Sequence, residues 1–264
     1  KYGPMGVSDG IRGLVCGGNA GAPGHADFNH IESINFATAA NATDFGDLSG
    51  AYLASGSASA GTGATRGFVG HDGGATGVDM IQISTGGNGT DFGDISVARG
   101  GYAGVSNGHG GLGTDNIQRP SATYMPGSGR VLTNGGNSPY GGTIEVFNIT
   151  VKGSSSDFGD SAGGVTRAYC GAASNMTRAM FMGGDTPAKT DLVDAVEFAS
   201  LGNSFDFGNL TAINYHNSAL SSSTRGIWGG GYSPNHTNVI EYVEISTIGN
   251  ALDFGDLSGD MDAG

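Results

Sequence analysis

DFGD stands at residues 44–47, 91–94, 157–160 and 253–256, and its variant DFGN at 206–209. The first aspartates of these segments are 47, 66, 49 and 47 residues apart. Twelve residues before each stands another acid, Glu32, Asp79, Glu145, Asp194 or Glu241, always preceded by a β-branched residue. Further upstream each copy has an arginine ahead of a short apolar run: Arg12, Arg66, Arg130, Arg178 and Arg225. Four of those runs end in Gly-Gly, and the second ends in His71-Asp72. Three markers in the same order, five times over, are the signature of a repeat architecture, in which each unit hides its apolar faces against its neighbours.

Each unit reads as four short strands, a to d. Strand a is a small-residue run such as residues 168–174, strand b follows the arginine, strand c follows the acid, and strand d begins around DFGD. In strand c the second and fourth residues after the acid are apolar in every copy and the third is polar, a period of two that belongs to a strand. A lone four-stranded sheet cannot bury both faces, and radial packing of such sheets solves that problem. A solenoid is the competing architecture; it needs polar capping repeats, and none stands out. The expected fold is all-β, a single five-bladed β-propeller over 1–264. Its four-stranded antiparallel blades fall near 1–48, 49–95, 96–160, 161–210 and 211–264. Lys1, Arg119, Arg167 and Asn214 each stand 11 residues before the strand b arginine, which places strand a entries there.

The 52 glycines lie between apolar runs and suit crowded strands near an axis. Only 13% of residues are charged, and the formal net charge is −13. Such a surface repels phosphate backbones, so nucleic acid is not an expected partner. No stretch approaches the ~20 apolar residues of a membrane helix, so membrane insertion is not expected. No secretory leader is recognisable, and the opening on Lys1 reads as a processed chain or a piece of a longer one. Cys16 and Cys170 fall in non-equivalent strands and read as two buried free thiols, although spacing alone leaves one disulfide open.

A strand ending in Gly-Gly, an acid-headed strand and an aromatic near the last strand resemble kelch repeats. Phe45, Phe92, Phe158, Phe207 and Phe254 take the place where kelch repeats carry Trp. The run Gly249-Asn250-Ala251-Leu252 before the last DFGD resembles repeats in structural proteins of marine bacteriophages, including cyanophages, as does Thr-Arg-Gly at 65–67 and 224–226. That resemblance covers all five copies. It implies a virion or extracellular-surface component with tail-fibre, attachment or decoration roles; it supplies no ligand and no catalytic residue.

Asp44, Asp91, Asp157, Asp206 and Asp253 invite a calcium reading, but residues three apart in a strand face opposite ways, and no metal is expected. Strands b and d begin on the same side of the disc, so the five arginines can form a ladder with these aspartates. The acids heading strand c read as partly buried and in need of donors. The six histidines show no metal-ligand spacing, no nucleophile motif stands out, and no cofactor or catalytic residue is assigned. The c–d links are constant in length. The b–c links vary, and about 19 extra residues fall within 96–118, read as the link into blade 3. In an up-and-down blade b–c and d–a links share one face, and variable loops on a rigid scaffold carry function. That face is expected to present His25, Asp27, Asp115, Tyr140, Lys189, Tyr232 and His236. Its aromatic and amide-rich loops suit a non-catalytic module binding host-surface glycan or another virion protein. A glycan-cleaving enzyme using a loop acid pair and a purely structural assembly subunit are the alternatives.

Overall fold

The computed structural model describes residues 3–9, 11–20, 26–51, 60–62, 65–71, 74–107, 129–137, 139–185, 189–232 and 234–261. Five four-stranded antiparallel sheets stand in a ring, a five-bladed β-propeller. Blade 1 is β1 (Met5–Ser8), β2 (Arg12–Cys16), β3 (His30–Asn35) and β4 (Thr43–Asp47). Blade 2 is β5 (Ala60–Thr62), β6 (Arg66–Gly70), β7 (Gly77–Gln82) and β8 (Thr90–Asp94). Blade 3 is β9 (Gly100–Ser106), β10 (Arg130–Asn137), β11 (Thr143–Asn148) and β12 (Ser156–Asp160). Blade 4 is β13 (Gly171–Ser174), β14 (Arg178–Met182), β15 (Leu192–Glu197) and β16 (Phe205–Asn209). Blade 5 is β17 (Ser218–Ser221), β18 (Arg225–Gly229), β19 (Thr237–Glu244) and β20 (Leu252–Met261). The first strands touch in succession around the axis: β1 with β5, β5 with β9, β9 with β13, β13 with β17. No helix among the described residues is long and apolar enough to cross a membrane.

The DFGD motif is a bulge. In every blade the register between the third and fourth strands slips at the acid: Ile31 pairs with Gly46 and Glu32 with Asp44, which leaves Phe45 unpaired. The same slip recurs in the other four blades. A bulge re-aims the extra side chain, and here it turns the phenylalanine onto the face covered by the next blade. Phe92, Phe158 and Phe207 are buried there, each in an apolar cluster shared by two blades. The residues two and four after the acid bury the opposite face against the preceding blade: Ile81 and Ile83, Val196 and Phe198, Val243 and Ile245.

The heading acids are deeply buried in blades 2 to 5, and each finds donors on the preceding blade. Ser49 donates its amide and hydroxyl to Asp79, both at 2.8 Å. The Ser96 amide reaches Glu145, the Ala162 amide Asp194, and the Thr211 amide Glu241. Each acid also has a partner in its own blade. His71 faces Asp79 at 3.4 Å, Arg99 Glu145 at 2.8 Å, Arg167 Asp194 at 2.5 Å, and the Trp228 Nε1–H donates to Glu241 at 2.9 Å. Burial pushes the Asp79 carboxyl up, but hydrogen bonds from His71 and Ser49 outweigh it and leave it below the usual range.

The arginine ladder exists with a different acceptor. Arg12, Arg66, Arg130 and Arg178 donate to main-chain carbonyls at the end of the next blade's third strand, those of Ser84, Ile149, Phe198 and Ile245. The DFGD aspartates do not receive them: Asp91 pairs with Lys152 at 3.2 Å, and Asp253 accepts the Gly255 amide at 2.9 Å. The reason is position. Each arginine lies directly across from the residue three beyond the acid, for example Arg178 opposite Glu197, at the edge where the next blade's strand ends. The Arg178 guanidinium gives 2.6 Å to the Ile245 carbonyl and bonds Glu197 through Nε and Nη2. A charge-assisted bond to a main-chain acceptor is worth ~2 kcal/mol, so Arg178→Ala should lower the melting temperature by roughly 4–8 °C. Circular dichroism melts decide it, and an unchanged melting temperature removes this bond from the account.

The long insertion also differs from expectation. Strand β9 begins at Gly100, directly after Arg99, and β10 begins at Arg130. The extra residues therefore join the first and second strands of blade 3, at the opposite end of the blade from the link into it. Arg119 is not the entry residue, because Arg99 makes the Glu145 pair that Arg167 makes with Asp194 in blade 4. Cys16 and Cys170 are both buried thiols outside any disulfide, and burial pushes the Cys170 thiol up to about 11.

Candidate functional site

Three of the seven residues expected on the variable face come together at blades 4 and 5. Lys189 lies in the link between β14 and β15; Tyr232 and His236 lie between β18 and β19. Lys189 and Tyr232 meet on Tyr215, from the link between β16 and β17, and His236 joins them through Tyr232. The Tyr215 and Tyr232 main chains hydrogen-bond to each other in both directions. That pairing sets their rings edge to face, 5.5 Å between centroids. The Lys189 ammonium stands 4.5 Å from the Tyr215 ring centre and 5.6 Å from that of Tyr232, and it donates to the Tyr215 hydroxyl at 3.1 Å. That hydrogen bond raises the Lys189 pKa, so the amine is charged at neutral pH. His236 packs on Tyr232 at 5.1 Å.

The row continues inward. His216 contacts Tyr215 at 5.2 Å and Tyr169 at 4.3 Å, and the Asn137 amide side chain donates to the Tyr169 hydroxyl. Tyr169 and His216 sit two residues after Arg167 and Asn214, the entry residues of blades 4 and 5. Both have φ of 56°, where Gly101 two residues after Arg99 has 62° and Gly3 has 54°. A side chain held in the left-handed region costs on the order of 1–3 kcal/mol and persists where surrounding contacts fix it. Here the Tyr169 amide donates to the Gly101 carbonyl at 2.7 Å and the His216 amide to the Tyr169 carbonyl at 3.0 Å. Two blades thus carry strained aromatics where two others keep glycine, which concentrates aromatic surface on one side of the axis.

No protein-family model matches the chain, and no curated protein matches it.

The remaining expected residues do not join this cluster. Asp27 accepts a hydrogen bond from the Asn19 amide side chain at 2.9 Å within the blade 1 loop. Tyr140, in the blade 3 loop, is exposed. His25 and Asp115 lie outside the described residues. Sequence reasoning missed Tyr215, His216 and Tyr169. Aligning the entry positions of the blades exposes two of them, because His216 and Tyr169 replace glycine at one repeat position.

Proposed function

We propose that this chain is a non-catalytic virion or surface module whose variable-loop face binds glycan, with Tyr232, Tyr215, Lys189 and His236 as the contact platform. The supporting observation is the convergence of three independent loops on one row of partly exposed rings, with a charged amine over it. Tyrosine presents a large, rigid, amphipathic surface at low entropic cost. Its ring face takes the apolar C–H face of a sugar, and its hydroxyl, the lysine and the histidine meet the sugar hydroxyls. Kelch-like repeats and a place in a phage particle accord with this reading as resemblances of the motif.

Glycan-array screening followed by calorimetric titration tests it. The chain should bind a defined set of glycans without releasing product, and Tyr232→Ala and Lys189→Ala should each weaken binding at least tenfold, as expected of anchor residues. Equal affinity of both variants for the selected glycan, or no glycan bound at all, overturns the assignment. Product release abolished by an Asp→Asn change in these loops replaces it with the glycan-cleaving alternative.

A further inference from the structure

Each junction between consecutive blades is built from the same parts. One blade offers the face carrying its DFGD phenylalanine, and the next covers that face with the two apolar residues that follow its heading acid. Four apolar clusters fill the junctions 1–2, 2–3, 3–4 and 4–5. The fifth seam, between blade 5 and blade 1, has both halves exposed. On blade 1, Ile34 and Phe36 are 40% and 60% exposed, where Ile81 and Ile83 of blade 2 are both at 0%. On blade 5, Leu220, Leu252 and Phe254 are 64%, 56% and 53% exposed, where Phe207 of blade 4 is at 1%.

The polar parts of the junction are unengaged there as well. Arg225 turns to Glu244 of its own blade at 2.6 Å and lies 4.6 Å from the Tyr242 ring, instead of reaching a carbonyl of a following blade. Gly46 and Gly208 are approached by the next blade's loop, whereas a Cβ on Gly255 meets nothing within 4 Å.

We propose that these two faces bind each other between copies of the chain, the blade 5 face of one copy docking on the blade 1 face of the next. The occupant is a second copy because each exposed face is one half of an interface that the chain already forms four times internally. Both halves are exposed at once, so they do not cover each other within one chain. The contact joins two different patches, which makes it heterologous: copies add head to tail, and the series stays open unless its rotation happens to close a ring. Apolar faces of this kind mark association surfaces.

The test uses Phe36→Asp and Phe254→Asp in the full chain. Both side chains are exposed in a single copy, so at dilutions where the wild type is monomeric each variant should melt within about 2 °C of it. In sedimentation velocity the wild type should form species larger than a monomer that grow with concentration, and each variant alone should be monomeric. A 1:1 mixture of the two should form a heterodimer, because one variant keeps an intact blade 5 face and the other an intact blade 1 face. A wild type that stays monomeric at every concentration overturns the proposal, as does a mixture that stays monomeric. A monomeric wild type whose two variants melt well below it shows that the seam closes within one chain, which also overturns it.

Discussion

Arg167→Ala is expected to destabilise the chain by about 3–5 kcal/mol, a fall in melting temperature on the order of 10 °C. Arg167 and Asp194 are both fully buried, and their ion pair spans 2.5 Å. The guanidinium also donates to the Gly183 carbonyl at 3.2 Å. Asp194 accepts from Ser204 Oγ at 2.5 Å and the Ala162 amide at 3.2 Å. These neutral donors satisfy part of the carboxylate but bring no charge. Removing the arginine strands an anion in the interior and opens a cavity beside it. Arg167→Met separates the two effects, since it refills most of the volume and leaves the charge unpaired. It should lose nearly as much stability as the alanine variant in urea unfolding. A methionine variant that melts like the wild type assigns the effect to packing alone.

That arginine shows where sequence was readable and where it was not. The blades were readable because the third and fourth strands are joined by a link of fixed length, so the acid and the bulged phenylalanine recur in register. Burial of the heading acids followed from their alternation with apolar positions. Their side-chain partners did not, because the type changes from blade to blade: histidine in blade 2, arginine in blades 3 and 4, tryptophan in blade 5. Arg99 could have been found by counting forward from DFGD. It lies 8 residues after Asp91, as Asn214 lies 8 after Asp206. Counting backward from Arg130 led instead to Arg119 and moved the insertion to the wrong end of the blade. The arginine ladder was legible as a ladder, but a main-chain carbonyl acceptor leaves no trace in sequence. Lys189, Tyr232 and His236 were recognisable as variable-loop residues, whereas their convergence depends on Tyr215, supplied by a link of unremarkable length. The open seam was invisible for the opposite reason: Ile34 and Phe36 obey the same pattern as their buried counterparts.

Gly46→Ala should cost about 4 kcal/mol, clearly more than the same change at Gly255, and the difference measures what a blade junction contributes. Both glycines hold the third position of DFGD with positive φ, 150° and 140°, so an alanine at either pays backbone strain of roughly 1–3 kcal/mol. Only at Gly46 is the added carbon met by the next blade, 2.6 Å from the Gly87 carbonyl and 3.0 Å from the Asn88 amide nitrogen. That loop is tied to the strand by three hydrogen bonds: Gly87 N–H to the Phe45 carbonyl at 3.2 Å, Gly89 N–H to the Asp47 carbonyl at 2.7 Å, and Asp47 N–H to Asn88 Oδ1 at 3.1 Å. Pushing the loop away weakens all three, each worth about 1 kcal/mol, and loosens the blade 1–2 core behind them. Within one copy of the chain Gly255 has no such neighbour, so at concentrations too low for self-association its alanine variant should show the strain alone. Melting temperatures of the two variants should therefore differ by at least roughly 2 °C. Equal losses at the two positions mean that the close approach of neighbouring blades adds nothing beyond local backbone strain. A larger loss at Gly255 places a partner against blade 5 that a single copy of the chain does not supply.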